Sequence, residues 1–266
     1  MIKFFRKIRQ NLLMENKTGK YFKYAVGEIV LVVIGILIAL SINNWNEIRK
    51  NRHLESQYIK RLLEDLKEDE AILQAVLNYQ QEVKFHAKKA IQIFENTDQD
   101  NVDPVENLIN LYQASQIQES NQATSTYKEL IASGQINLIA NDALKTAIIR
   151  YYELNWTETH WFTATNTYRR NIRSKMPDYI QSEIRSNCGD IYVKIRESIE
   201  ITLPKTCDID ISPEVAQPIV DLLKADKGLK NDLRFLSGNL EGELQDLFQV
   251  KEQLEELIQL FDTFLK

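Results

Sequence analysis

Three histidines and two cysteines are the residues of this 266-residue chain best suited to nucleophilic catalysis or metal binding. His53, His86 and His160 lie far apart, and none occurs in an HxxxH or ExxH arrangement that would place two ligands on one helical face. Cys188 and Cys207 do not have zinc-site spacing, and no glycine-rich phosphate loop or GxSxG turn is present. The sequence therefore predicts no catalytic residue, no cofactor, no metal site and no enzyme.

Two further groups could form a site, but each has a simpler structural explanation. Trp156, His160, Trp161 and Phe162 form an aromatic cluster that could line a ligand cleft, although core packing is the commoner role of such residues. The acids of LEDLKEDE, from Glu64 to Glu70, are predicted to form a solvated helix face. We expect His86, which follows Phe85 on a charged helix, at the surface or rim.

The two cysteines bracket GDIYVKIRESIEITLPKT, the least helical part of the chain. Apolar residues alternate on both sides of residues 196–198, a pattern that fits a small hairpin and an irregular loop equally well. On the oxidising side of a membrane, Cys188 and Cys207 would form a disulfide, and two free buried thiols are the alternative. Closing a loop of this size would stabilise the fold by about 3 kcal/mol.

Residues 24–42 form an apolar run in which Glu28 is the only charged residue. About 20 apolar residues span the ~30 Å hydrocarbon core of a bilayer, and here the apolar character continues around the whole helix. The run predicts a transmembrane helix over residues 24–45 rather than a buried core helix. Ala39-Leu40-Ser41 would suit a signal peptidase, but the basic region and the apolar run are both longer than in a cleaved signal peptide, which favours an uncleaved signal-anchor.

Charge is distributed unevenly on the two sides of this run, with a net +6 in residues 1–23 and −10 in residues 46–266. The positive-inside rule therefore places residues 1–23 in the cytoplasm and residues 46–266, the main domain, outside it, which in a bacterium means the periplasm. Within the basic tail, an amphipathic helix on the inner membrane face is predicted by apolar residues at helical spacing, namely Ile2, Phe5, Ile8 and Leu12. The acidic main domain argues against nucleic acid as a partner.

Three residues of the apolar run could mediate helix association in the bilayer. Gly35 lies one heptad after Glu28 and shares its face, and Gly35 and Ala39 form a small-xxx-small pair that permits close approach of a second helix. Glu28 is also explained as an acid near a helix N-terminus, where it interacts favourably with the helix dipole and neighbouring lysines. Self-association through this face is one hypothesis, and an anchor without a partner is the other.

The main domain has the sequence pattern of an all-α fold. Apolar residues recur at helical spacing from Ile59 to Leu77. Pro104 suits the first turn of a short helix through Ser115. Ser133-Gly134 fits a helix C-terminus, and Asn141 or Asp142 can cap the next helix.

A third apolar face is predicted to continue from Leu144 through Ile172 until Pro177 disturbs it. The last helix is the clearest, with a/d-type spacing from Leu240 to Leu265. Three or four long helices predict an up-and-down bundle in which the first and last helices are neighbours. The bundle would carry the excursion between the cysteines as a small disulfide-closed addition.

Residues 1–47 read MIKFFRKIRQNLLMENKTGKYFKYAVGEIVLVVIGILIALSINNWNE. This segment closely resembles the N-terminal signature of a large family of single-span membrane proteins that is common in Bacteroidota. The activity of that family is unknown. Residues 126–152, TYKELIASGQINLIANDALKTAIIRYY, resemble the second recognisable block of that family. The resemblance implies an inner-membrane anchor with an extracytoplasmic helical domain, and it supplies no catalytic residues. Two functions are compatible with it: binding or scaffolding another envelope protein, and sensing a ligand or partner with a signal through the transmembrane helix.

Overall fold

A computed structural model describes residues 18–95, 103–158, 166–196 and 198–265. Within these ranges the protein is about 80% helical. The described residues form eight α-helices: α1 (Thr18–Glu95), α2 (Pro104–Gln113), α3 (Ser125–Ala132), α4 (Asp142–Leu154), α5 (Thr167–Lys175), α6 (Asp178–Cys188), α7 (Pro213–Lys224) and α8 (Lys227–Phe264). Two strands, β1 (Ile191–Ile195) and β2 (Ser198–Thr202), form an antiparallel hairpin. The fold is thus a helical bundle with one small excursion, as predicted, and the excursion is a β-hairpin.

The chain divides into two structural units between Gln57 and Tyr58. In the first unit the apolar side chains of α1 from Ile29 to Trp45 are exposed. Among the described residues, α1 is the one helix long and apolar enough to cross a membrane, which agrees with a single-pass protein. The predicted amphipathic helix lies outside the described residues, and the boundaries 1–23, 24–45 and 46–266 stay predictions.

In the second unit, α8 runs antiparallel to the part of α1 that follows Gln57. Arg234, near the start of α8, bonds to Glu95 at the end of α1 at 2.6 Å, and Lys84 bonds to Glu241 at 3.0 Å. Both helices contribute apolar side chains to the same clusters along their length. The prediction that the first and last helices of the bundle are neighbours is therefore confirmed.

The core of the second unit consists of two clusters arranged along this helix pair. The first core cluster joins α1 from Tyr58 to Leu77 with α3, α4 and the α8 residues from Leu244 to Phe261. The second core cluster joins α1 from Tyr79 to Phe94 with α2, α5, α6, α7 and the α8 residues from Leu229 to Leu240. The a/d spacing of the last helix correctly predicts its buried face, except that Leu265 is exposed and lies beyond the helix.

Several predicted helix ends are confirmed by local geometry. Pro104 occupies the first turn of α2, although that helix ends at Gln113, two residues earlier than predicted. Gly134 follows α3 with a φ of 69°, a left-handed conformation that glycine adopts without strain. Asn141 caps α4, since its Oδ1 accepts the Leu144 N–H at 2.9 Å.

The predicted long helix from Leu144 to Ile172 is wrong. The helix α4 ends at Leu154, because Asn155 adopts a left-handed conformation with a φ of 39°. The helix α5 begins at Thr167, and Asn166 caps it by accepting the Arg169 N–H. Consequently the bundle has two long helices, α1 and α8, and the other described helices have 13 residues or fewer.

Candidate functional site

The two cysteines form the predicted disulfide, which closes the hairpin at its base. Cys188 ends α6 and bonds to Cys207, with a Cα–Cα distance of 5.2 Å. Between them β1 and β2 pair in a register that places Ile195 opposite Ser198. Of the two alternatives for this segment, the hairpin is therefore the correct one.

The two faces of the hairpin differ in their contacts and in the exposure of their apolar side chains. On the inner face Glu200 is buried and accepts hydrogen bonds from Ser120 and Gln118, at 3.0 and 3.3 Å. Residues directly opposite in an antiparallel pair share a face, so Tyr192 lies on the outer face, as does Ile199 opposite Lys194. Tyr192 is 75% exposed and Ile199 is 68% exposed. The inner face thus combines polar contacts with the exposed Ile191 and Val193, and on the outer face Tyr192 and Ile199 are exposed while Ile201 packs against the second core cluster.

The predicted helix-association residues all lie on α1 in the first unit. Glu28 is partly buried, Ala39 is exposed, and a Cβ placed on Gly35 would meet no atom within 4 Å. The face is therefore open to close approach by another helix. Whether it meets one stays a prediction.

The predicted aromatic cluster is described only in part. Trp156 is buried in the first core cluster, so it has the packing role. His160, Trp161 and Phe162 lie outside the described residues. Among the residues that are described, no three metal-ligating side chains lie together.

The other two histidines, His53 and His86, belong to different units. His53 is exposed and contacts Gln57 through its ring Nε2 at 3.1 Å. His86 is partly buried, as expected for a rim position, and its Nδ1 lies 2.8 Å from Asn110 Oδ1. Burial lowers the pKa of His86, which favours the neutral imidazole.

The prediction that the LEDLKEDE acids form a solvated face is wrong for two of them. Asp69 is completely buried and accepts the Ala123 N–H at 2.5 Å. Asp65, one turn earlier on α1, accepts the Thr126 N–H at 2.9 Å and so caps the N-terminus of α3 from another helix. The reason is that the extended segment before α3 has free backbone N–H groups, and these two carboxylates satisfy them.

Burial also changes the acid strength of Asp69. Its second oxygen accepts a hydrogen bond from the Tyr151 hydroxyl at 2.8 Å, and the carboxyl has no exposed surface. Loss of hydration raises the pKa of Asp69 to about 7, although the bonds from Ala123 and Tyr151 oppose that rise. Asp69 is therefore a structural acid that titrates near neutral pH.

Two arginines on α5 hold the start of the same extended segment. Arg169 donates to the Ser115 carbonyl at 2.7 Å, and Arg173 donates to the Ser115 hydroxyl at 3.0 Å and to Gln116 Oε1 at 2.7 Å. The Arg173 guanidinium also lies 4.4 Å from the ring centre of Tyr112, a cation–π distance. Together α1 and α5 fix the segment between α2 and α3 from two sides.

These two arginines have an unusual electrostatic environment. Within the described part of the chain, neither lies within 4 Å of a carboxylate. Burial and the neighbouring Arg169 lower the pKa of Arg173 to about 10. Arg169 also has a lowered pKa because of burial. Both remain cationic at neutral pH, so the site carries two adjacent, partly buried positive charges.

The arginines face a cavity of about 430 Å³ within the second unit. Its walls come from α1, the segment after α2, α5 and α8. Glu243 of α8 also lines it; this residue is only 7% exposed, and its Oε1 has no hydrogen-bond partner among the described residues. Desolvation raises the pKa of Glu243 to about 7. The cavity thus combines two guanidinium groups and one buried carboxyl, which can interact with groups of different charge on one polar molecule.

These cavity residues were not found from the sequence, although one signal was present. Glu243 lies three residues after Leu240 and four before Leu247, so its position falls within the buried face of the last helix. An acid at such a position is a candidate for a perturbed site. Arg169 and Arg173 share a helical face, but their contact with Ser115 joins residues far apart in sequence and has no local signature.

The fold defines the protein as a helical bundle with one helix able to cross a membrane and a disulfide-closed hairpin. The chain belongs to the Family of unknown function (DUF6090), whose model matches residues 28–174, more than half of its length. The predicted membership of an uncharacterised family is therefore confirmed. No curated protein and no solved structure matches the chain.

Proposed function

We propose that the protein is anchored in a bacterial inner membrane, of the kind found in Bacteroidota, with residues 1–23 in the cytoplasm and residues 46–266 in the periplasm. Three observations support this topology: the excess of basic residues before the span, the exposed apolar surface of α1, and the disulfide in the second unit. A reporter fused after Lys266 tests this orientation, because the chosen reporter fluoresces only in the cytoplasm. Fluorescence in intact cells would contradict the proposed orientation.

Within that location the proposed function is binding or scaffolding of another envelope protein, without enzymatic activity. The outer face of the hairpin is the observation that carries this proposal. Exposed aromatic and β-branched side chains on a rigid element are typical of the centre of a protein interface. Tyr192 and Ile199 are such side chains, and the disulfide at the hairpin base limits their motion.

The charges around this face indicate the chemistry of the partner. Lys194 lies opposite Ile199, and Arg196 is exposed in the turn, whereas the surrounding domain is acidic. A partner that presents an apolar patch flanked by carboxylates would complement this surface. The basic residues would also repel a wrong partner with a basic surface, which contributes specificity.

Site-specific crosslinking in intact cells tests the interaction. A photoreactive residue at Tyr192 should capture one recurrent envelope protein, and the same residue at Gln253, an exposed position on α8, should not. Adding Ile199→Ser to the chain should reduce the yield of that adduct. Equal adducts from both positions, or no recurrent adduct from Tyr192, would count against the hairpin as the docking surface.

Self-association through the transmembrane helix is part of the same proposal. Gly35 and Ala39 would allow two copies of α1 to approach closely, and Glu28 lies on the same face. Gly35→Leu should lower the yield of chemically crosslinked dimer in membranes. Leu37→Ile, which keeps apolar volume away from the small residues, is the matched control. An unchanged dimer yield in Gly35→Leu would contradict association through this face.

A second candidate function, an envelope sensor or regulator, is favoured by the cavity in the second unit. A ligand-binding bundle attached to a transmembrane helix is an arrangement in which occupancy can be transmitted inward. A cavity of about 430 Å³ with charged walls falls in the size range of small-molecule sites. Binding of a small molecule to the purified protein, in the absence of any partner, distinguishes this function from scaffolding.

A further inference from the structure

We infer that the cavity bounded by α1, α5 and α8 binds a small zwitterion of the α-amino acid or short-peptide class. The carboxylate of the ligand would lie against Arg169 and Arg173, and its ammonium group would lie against Glu243. This inference rests on the second proposed function and names its ligand. It is independent of docking at the hairpin.

The carboxyl group of Glu243 lines the cavity. Its Oε1 is buried and has no hydrogen-bond partner among the described residues. Buried acceptors in folded proteins are nearly always satisfied, so an orphan that lines a cavity points to a group that occupies the cavity. A positively charged donor satisfies such a carboxylate best, because it also compensates the lost hydration of the charge.

A second orphaned acceptor lies in the same cavity. Gln118 is buried, and its Nε2 donates to Glu200, but its Oε1 has no partner within the described residues. An ammonium group has three N–H donors, so one ligand can donate to Gln118 as well as to Glu243. Two unsatisfied acceptors among the residues that line one cavity thus indicate a ligand that carries several donors.

The arginines supply the complementary end. The described hydrogen bonds of Arg169 use only Nη1, and those of Arg173 use Nε and Nη2. A guanidinium carries five N–H groups in a planar fork, so each arginine keeps donors for a ligand. Carboxylates match that fork in a bidentate manner, and no protein carboxylate described here forms an ion pair with either arginine.

The remaining walls restrict the ligand further. Phe235, Leu236 and Leu240 line the cavity and would contact an apolar side chain. Glu243 and Asp232, both acidic, disfavour a multiply charged anion such as a phosphate ester, because it would face like charges. A zwitterion with an apolar side chain is the class that satisfies the arginines, the orphaned acceptors and the apolar wall together.

Calorimetric titration of the full-length protein in detergent micelles tests the inference. The probes are L-leucine, L-phenylalanine and the dipeptide L-leucyl-L-leucine. We expect saturable binding of at least one probe. Two analogues should each bind at least tenfold more weakly than L-leucine, namely 4-methylpentanoate, which lacks the ammonium group, and 3-methylbutylamine, which lacks the carboxylate. Stronger binding of the dipeptide than of both amino acids would identify a peptide as the ligand, and the reverse would identify a free amino acid.

Glu243→Gln keeps the shape of the side chain and removes its charge. It should weaken binding of the best zwitterionic probe at least tenfold, whereas Glu252→Gln, an exposed position on the same helix, should not change it. The inference would be overturned if no probe bound saturably up to about 10 mM, a concentration well above a weak Kd of ~1 mM. It would also be overturned if Glu243→Gln and the unmodified protein bound the best probe equally. Neither result would affect crosslinking at the hairpin, so the two proposals fail separately.

Discussion

Replacement of the buried acid in the cavity should stabilise the protein, and the gain should depend on pH. Glu243 has a pKa raised from 4.5 to about 7 by desolvation, and no hydrogen bond to a described residue opposes this effect. A tenfold change in proton affinity is worth about 1.4 kcal/mol. The rise in pKa therefore corresponds to about 3 kcal/mol of stability that the folded protein loses when Glu243 ionises.

The direction of the pH effect follows from proton linkage. Between pH 4.5 and about 7 the folded state holds the Glu243 proton while the unfolded state has released it. The contribution of Glu243 is fully present below pH 4.5 and disappears as the pH rises through about 7. Glu243→Gln should therefore match the unmodified protein near pH 4 and exceed it by about 3 kcal/mol near pH 8.

Urea unfolding followed by circular dichroism, on the full-length protein in detergent micelles, measures this difference. Glu252→Gln, an exposed neutralisation on the same helix, corrects for the general change in net charge and should differ from the unmodified protein by less than about 0.5 kcal/mol. Equal stability of Glu243→Gln and the unmodified protein at pH 8 would refute the reasoning, because it would mean that Glu243 is well hydrated in the folded state. A gain in stability together with a loss of ligand binding is the trade-off typical of a functional site.

Three further predictions concern the architecture and use the same unfolding assay. Reduction of the Cys188–Cys207 bond, or its replacement by two serines, should lower the free energy of unfolding by about 3 kcal/mol, and an unchanged urea midpoint in dithiothreitol would contradict this. Asn141→Ala should destabilise by about 1 kcal/mol because α4 loses its cap, and equal midpoints would contradict the capping role. Asp69→Asn should flatten the dependence of stability on pH. Burial raises the pKa of Asp69 to about 7, so its stabilising contribution is lost as the pH rises from 3.8 through that value. An unchanged slope of stability against pH would contradict the burial of Asp69.

Local sequence patterns predicted most of the architecture. Each of the correctly interpreted patterns acts over a few residues or through one chemical bond. These patterns are the apolar run at Glu28, the buried face of the last helix, the proline and asparagine at two helix starts, and the cysteine pair. Their structural consequences therefore follow from spacing alone. The break at Asn155 was missed because a left-handed asparagine leaves the apolar periodicity on either side almost intact.

The buried polar site could not be predicted in this way, because its contacts join distant parts of the chain. Asp69 contacts Ala123, 54 residues away, and Tyr151, 82 residues away. In the sequence, Asp69 is one acid in a row of charged residues, which is more often a solvated surface than a buried network. Only the tertiary arrangement distinguishes Asp69 from its neighbours.

The hairpin has a consequence for aggregation. A two-stranded sheet has two open edges, whose backbone N–H and C=O groups can pair with a strand of another molecule. Molecules anchored in one membrane, as proposed here, meet repeatedly in a fixed orientation, which favours such edge-to-edge pairing. Lys194 and Arg196 are exposed at this hairpin, and placing two copies edge to edge would bring like charges together. The same basic side chains that complement an acidic partner thus act as gatekeepers against polymerisation of the protein with itself.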